Sequence, residues 1–219
     1  MRTWIRERGL LLVNLGLFFL FFVGMAVFGF TVYNEDQSSH GGAGITFWRY
    51  LVTGDFVEAT FENWESEFLQ MGMYVVLTAY LVQKGSSESK PLEGAEQDED
   101  PRTVRDRSDV PGAVRRGGWV LKVYERSLAL LFFVFFAGSF LGHALGGARA
   151  YSAEQLEHGA AAVTTWQYLG TAQFWFESMQ NWQSEFLAIA VMVGASVYLR
   201  YRGSPESKKV AAPHSATGA

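Results

Sequence analysis

The stretch "GLLLVNLGLFFLFFVGMAVFGFTVY", residues 9–33, contains no Asp, Glu, Lys or Arg, and Asn14 is its one strongly polar side chain. A helix of about 20 apolar residues crosses the hydrocarbon core of a bilayer. Inside that core every backbone N–H and C=O must find a partner within the protein, so a lone apolar run of this length is expected to be helical. Residues 9–33 therefore read as a transmembrane helix. Outward along the chain, comparable runs follow at about 62–84, 126–149 and 180–201. The second is interrupted by Glu67 and Gln70, the fourth by Glu185. The expected fold class is all-α and integral to the membrane, with four transmembrane helices.

Composition points the same way: of 219 residues, 49% are hydrophobic, 16% aromatic and only 18% charged, too apolar a balance for an ordinary soluble domain. There is no cysteine, which excludes a disulfide framework and a thiolate metal site. Lys and Arg fall unevenly. Arg2, Arg6 and Arg8 precede the first run, Lys84 to Arg126 bracket the middle loop, and Arg200, Arg202, Lys208 and Lys209 follow the last. The other two loops hold only Arg49 and Arg149. Since short loops retained in the cytoplasm carry the excess of positive charge, both termini and the middle loop are expected there, with outer loops at about 34–62 and 151–180.

The chain repeats itself. Shifted by 118 residues, 7–90 aligns with 125–208 without a gap, and roughly two positions in five are identical. Trp48, Tyr50, Thr53 and Phe56 return as Trp166, Tyr168, Thr171 and Phe174, and "ENWESEFLQ" at 62–70 returns as "QNWQSEFLA" at 180–188. Each unit holds two spans, so both copies have the same orientation, and two tandem parallel repeats imply a pseudo-twofold axis along the membrane normal. Because the first span has an internal counterpart, it is expected to be retained rather than cleaved as a signal peptide. The expected organisation is unit 1 at 1–90, unit 2 at 119–208, and a flexible cytoplasmic linker at 91–118, too poor in apolar residues to offset its ordering entropy. Residues 209–219 read as a disordered tail.

"NWxSEF" opening a span and "GSPESK" after it, in a duplicated chain of this length, resemble an uncharacterised family of bacterial four-span membrane proteins, a domain of unknown function. The likeness covers nearly the whole chain apart from the linker, and the first copy departs from it with Ser87 where the second has Pro205. It implies a bacterial inner membrane protein and brings no activity, substrate or catalytic residue.

At 100° per residue, Asn63, Ser66, Glu67 and Gln70 share one helical arc, and Asn181, Ser184 and Glu185 repeat it. Trp64 and Trp182 suit an interfacial aromatic belt, as do Trp48 and Trp166, and Asn63 suits an N-cap. Glu67 and Glu185 fit anchoring less well, because an ionisable group inside a span is costly and normally faces partners in the bundle. If the axis brings them together, the pair would hold a proton or cation. Glu65 lies opposite this arc and aligns with Gln183, so a charge there is not shared. His40 and His158 are weak metal candidates without helical ligand spacing. Gly138, Gly142 and Gly146 form a small-residue ridge for close helix packing, against the first span or a second copy. His143 beside it aligns with Met25 and suits a hydrogen bond to a neighbouring helix.

Thr53 and Thr171 are placed to cap a short interfacial helix in each outer loop, through residues 56–63 or 174–181; if that helix instead continues unbroken into the span, Asn63 is helix interior and the motif sits deeper. "GSPESK" reads as a helix stop. No nucleophile with a base, phosphate loop, haem-type pair or nucleic-acid patch is present. The expectation is a non-enzymatic structural or assembly component without a cofactor, with proton or cation transport through Glu67 and Glu185 as the alternative. Its expected partners are the lipid bilayer and either a second copy or another membrane protein, not nucleic acid.

Overall fold

The computed structural model describes residues 2–91 and 100–218; residues 92–99, which belong to the expected linker, lie outside the described residues. The described residues form helices and no strand: α1 (Arg2–Ser39), α2 (Phe47–Tyr50), α3 (Gly54–Tyr80), α4 (Gly112–Arg116), α5 (Gly118–Tyr124), α6 (Ser127–Glu157), α7 (Thr165–Tyr168) and α8 (Ala172–Ala195). Two of them, α1 and α6, are long and apolar enough to cross a membrane. A core helix of a soluble protein would pass the same test, but it would be covered. Here only 6% and 17% of the most apolar windows of α1 and α6 are buried.

α3 and α8 begin where their sequence allows a cap. Thr53 and Thr171 each accept the backbone N–H three residues on, from Phe56 and Phe174, both at 3.3 Å. The expected break before the NWxSEF motif does not occur. α3 and α8 run unbroken from these caps through the motif, because past Gly54 at the very start of α3 neither copy has a Pro or Gly before the Trp to end the helix. Asn63 and Asn181 are therefore helix interior and not caps. The motif serines satisfy themselves on the preceding turn, Ser66 Oγ donating to Asn63 O and Ser184 Oγ to Asn181 O, each at 2.8 Å. The short helices that do form in the loops after α1 and α6 are α2 and α7, each a single turn.

The chain divides into two compact units, Met1–Phe61 with Gly142–Gly170, and Glu62–Leu141 with Thr171–Ala219. In the first, Tyr50, Ala26 and Phe56 form a core to which Phe22, Phe30, Tyr33 and Phe47 add. Tyr50 packs 5.6 Å from Tyr33 and 5.3 Å from Phe56, ring to ring. Tyr168, fully buried, packs 5.6 Å from Tyr151. Both tyrosines press on a glycine of the long helix, Gly29 or Gly147, where a Cβ would come within 3 Å of the ring or its hydroxyl.

The loops are tied alike. Asn34 Oδ1 accepts Ile45 N–H at 2.7 Å, and Ser152 Oγ accepts Val163 N–H at 3.0 Å. Gly41 and Gly159 turn the chain with φ of 77° and 75°, a region costly for any residue with a Cβ. In the same unit the ridge of α6 meets the start of α3, not α1. Phe61 covers Gly142, and the backbone at Val57 and Glu58 covers Gly146, whereas nothing approaches Gly138.

In the second unit Phe68 lies tilted against Phe135 at 5.0 Å, Phe140 meets Phe174 edge-on at 5.2 Å, and Gly72 lets α3 lie against Phe132 and Phe133. The serine-rich segments after α3 and α8 form compact loops several residues beyond the helix ends. Gln83 N donates to Ser89 Oγ at 3.0 Å, and Tyr201 N to Ser207 Oγ at 2.9 Å. Gly85 and Gly203, both with φ of 89°, shape these turns and do not stop the helices, which have already ended at Tyr80 and Ala195.

Composition reads 209–219 as a disordered tail, yet residues 209–218 fold back. Lys208, 2% exposed, donates to the carbonyls of Pro213, His214 and Ala216 at 3.4, 3.0 and 2.8 Å, and Gly218 N reaches Ser86 O at 2.9 Å. One ammonium thus gathers three carbonyls that a free tail would leave to water. Of the expected linker, residues 100–111 form turns and Gly112–Arg116 is helical.

Candidate functional site

The two copies of the NWxSEF segment lie in the second unit, on α3 and α8, and they meet through different residues. Glu65 of the first copy is completely buried. Its Oε1 accepts Trp182 Nε1 at 3.0 Å and Ser178 Oγ at 3.1 Å. Three residues before it, Glu62 Oε1 accepts from Asn181 Nδ2. Further along, the buried Gln70 amide donates to the backbone carbonyl of Glu185 at 2.9 Å. Glu62 and Glu65, three positions apart, share one side of α3, and Gln70, five positions past Glu65, lies about 140° round the helix from it on the neighbouring flank. Phe136 of α6 closes one flank, 6.3 Å from the Trp182 ring.

This face sits about one residue round from the expected arc. Ser66 is buried, as that arc requires, but Asn63, Glu67 and Ser184 are exposed, while Asn181 and Glu185 are half-buried. Glu185 lies within Coulombic reach of Glu67. Trp64 and Trp182 are half-buried, and the Trp182 indole is spent on Glu65 in addition to any belt role. Trp48 and Trp166 are 77% and 84% exposed, as anchors in an interface would be.

Sequence reasoning passed over Glu62 and Glu65 because it looked for what the copies share. The copy-to-copy difference was the useful signal. Glu62 and Glu65 align with Gln180 and Gln183, so acids in one copy face the donors Asn181 and Trp182 of the other. An acceptor-only carboxylate meeting two donors is chemically complementary, whereas two identical surfaces would set like against like. Gln183, the partner of Glu65 in the alignment, is exposed and donates to Gln180 O within its own helix at 3.1 Å.

The first unit holds a second polar group. Tyr168 OH donates to Glu58 Oε1 at 2.9 Å. His143, fully buried on α6, has a ring nitrogen within 4.8 Å of a Glu58 carboxylate oxygen. The close approach of α6 and α3 at Gly142 and Gly146 sets these side chains side by side. The histidine expected merely to bridge helices is therefore in a buried acidic setting. His40 and His158 are not: both are exposed, and each Nδ1 turns to its own helix end, to Asp36 O at 3.0 Å and Glu154 O at 2.9 Å.

The first turn of α3 carries Asp55, ahead of the apolar run that begins near residue 62. Partial desolvation by the packed chain around it pushes its carboxyl, still exposed at the surface, above the ordinary carboxylate range, and the charges of Asp36 and Glu157 push in the same direction against a favourable backbone hydrogen bond.

A family model described as Domain of unknown function (DUF6766) matches residues 1–219, and the chain belongs to that family. No curated protein and no solved structure matches it.

Proposed function

We propose that this DUF6766 protein is a multi-pass protein of the bacterial inner membrane, with four spans, both termini in the cytoplasm, and a structural or assembly role without catalysis. Its two halves act as tandem repeats about an axis along the membrane normal, α1 and α3 forming the spans of one and α6 and α8 those of the other. Three facts support the architecture. α3, at 27 residues, is about 40 Å long and exceeds the roughly 30 Å hydrocarbon core. α2 and α7 begin at positions 118 apart, as do the positive-φ glycines Gly41 and Gly159. The apolar surfaces of α1 and α6 are largely uncovered by protein, which suits lipid or a second membrane protein.

The observation that carries the structural role is the buried Glu65 carboxylate. It is consumed by Ser178 and Trp182, so the most polar part of the repeated motif works as a lock between α3 and α8. In a bilayer, helices gain little from apolar burial against each other, and packing with interhelical hydrogen bonds holds them together.

Topology has a direct test because the chain lacks cysteine. Single cysteines at residues 43, 105 and 161 are probed in intact cells with a membrane-impermeant maleimide. Four spans expose 43 and 161 and protect 105; labelling at 105 would instead leave α1 and α6 as the only spans.

A second reading, proton or cation movement, is favoured by the mutual reach of Glu67 and Glu185. Flux in liposomes that disappears in Glu67→Gln and Glu185→Gln supports it. Absence of flux in the unaltered protein supports the structural role.

A further inference from the structure

We propose that Glu58 and His143 form a binding site for a divalent first-row transition metal, of the kind represented by Zn²⁺, within the first compact unit. The site joins a carboxylate at the start of α3 to an imidazole on α6.

The chemistry of the donors fits. Imidazole nitrogen and carboxylate oxygen are ordinary ligands of such metals, at about 2.0–2.2 Å from the ion. Two such ligands on one ion are separated by about 3–4 Å, depending on their angle. The Glu58 oxygen and the His143 nitrogen lie within 4.8 Å of each other, so a shift of under about 2 Å closes the site. The carboxylate is also oriented. Tyr168 OH donates to Glu58 Oε1 at 2.9 Å, the type of outer contact that holds a metal-binding carboxylate in place.

The position is built rather than incidental. His143 and Tyr168 are both fully buried. The backbone of α3 at Val57 and Glu58 comes so close to α6 that a Cβ on Gly146 would overlap it. Ligands standing on two helices at their tightest approach have little freedom to separate, which favours binding over hydration of the free ion.

The internal comparison argues against a purely structural purpose. In the alignment of the two copies, His143 corresponds to Met25 and Glu58 to Phe176. Tyr168 corresponds to Tyr50, which keeps the same close contact with glycine and an equivalent tyrosine neighbour in an aromatic core. The tyrosine nest thus forms without a carboxylate or imidazole. Beside Tyr168, Glu58 from the first copy and His143 from the second instead supply a half-buried carboxylate and a fully buried imidazole, groups that are costly to remove from water. A metal bound by both offsets that cost.

The test uses full-length, tag-free protein in detergent, stripped with chelator and dialysed. Zn²⁺ alone is titrated with elemental analysis, and Co²⁺ alone with visible absorption. The expected result is one equivalent per chain, a Co²⁺ ligand-field band, and a melting temperature that rises on adding Zn²⁺. His143→Asn and Glu58→Gln, which nearly preserve shape, should each weaken binding at least tenfold and abolish the melting shift. The double variant His40→Ala, His158→Ala should bind like the unaltered protein.

Helical content and elution volume report whether each variant is folded. Should His143→Asn not fold, Glu58→Gln decides alone. If neither folds, the decision passes to the double variant His40→Ala, His158→Ala: the X-ray absorption spectrum of its Zn²⁺-loaded form must show imidazole ligation. The proposal is overturned if the stripped protein takes up no stoichiometric metal, if binding survives in a folded Glu58→Gln or His143→Asn, if binding is lost with His40 and His158, or if that spectrum shows no imidazole.

Discussion

Tyr50 and Tyr168 occupy equivalent places in the two halves of the chain and pack in nearly the same way. Each lies on a glycine of a long helix, Gly29 or Gly147, and 5.6 Å from a second tyrosine ring. They differ in what meets the hydroxyl side: Tyr168 gives its hydrogen to Glu58, next to His143, whereas Tyr50 belongs to a cluster with Ala26 and Phe56. The motif copies show the same division. Ser66 and Ser184 make the identical bond to the preceding turn, yet Glu65 is buried under two donors while Gln183 stays at the surface. Duplication preserved the contacts within each copy. Differences accumulated where one element has to meet an unlike neighbour.

The contrast between Glu65 and Gln183 is the place to press hardest. Glu65→Ala removes the acceptor of two buried donors, and the expected loss is about 2–4 kcal/mol. Gln183→Ala is expected to cost under about 0.5 kcal/mol, as surface changes usually do. Chemical or thermal unfolding in detergent compares them, and equal losses would mean the copies do not meet as described.

Next in size are Gly147→Ala and Gly29→Ala. In both, the new methyl group collides with a tyrosine, and a cost of about 1–3 kcal/mol is expected for each, measured the same way. Here the copies should behave alike. A harmless substitution in only one would show that its tyrosine can move aside.

Smaller again is Tyr168→Phe, which removes the donor to Glu58 and is expected to cost about 1–2 kcal/mol. Tyr50→Phe serves as its reference, with a smaller loss expected. If the two losses are equal, the bond to Glu58 contributes nothing net.

The smallest effect concerns Asp55, which aligns with the neutral Gln173. Its carboxyl is held above the ordinary range, so the folded protein keeps a proton that the unfolded chain releases sooner. Stability is therefore greatest below the unfolded value and falls as pH rises through the folded one. Melting curves across about pH 4 to 7 should show this fall in the unaltered protein and a flatter profile in Asp55→Asn. Identical slopes would remove burial as the cause.

Much of the molecule was legible in residue order, because local rules set it. The uncharged run at 9–33 dictates a helix wherever water is absent, and Thr53 and Thr171 announce helix starts through a hydroxyl that any following N–H can reach. Other features needed the fold. Whether α3 ends before Asn63 depends on whether a cap or continued helix is more favourable, a balance of about 1 kcal/mol that sequence cannot weigh. Helical periodicity placed Glu65 and Glu67 on different faces, but not which face would be covered, since that depends on Ser178 and Trp182, more than a hundred residues away. The meeting of Glu58 with Tyr168 and His143 is decided by the same long-range packing, through the closeness of α3 and α6 that Gly142 and Gly146 permit. Sequence by itself determined the helices and their apolar character, because those follow from backbone and solvent. Tertiary structure alone decided which buried charges found partners, because partnership is a property of two distant segments at once.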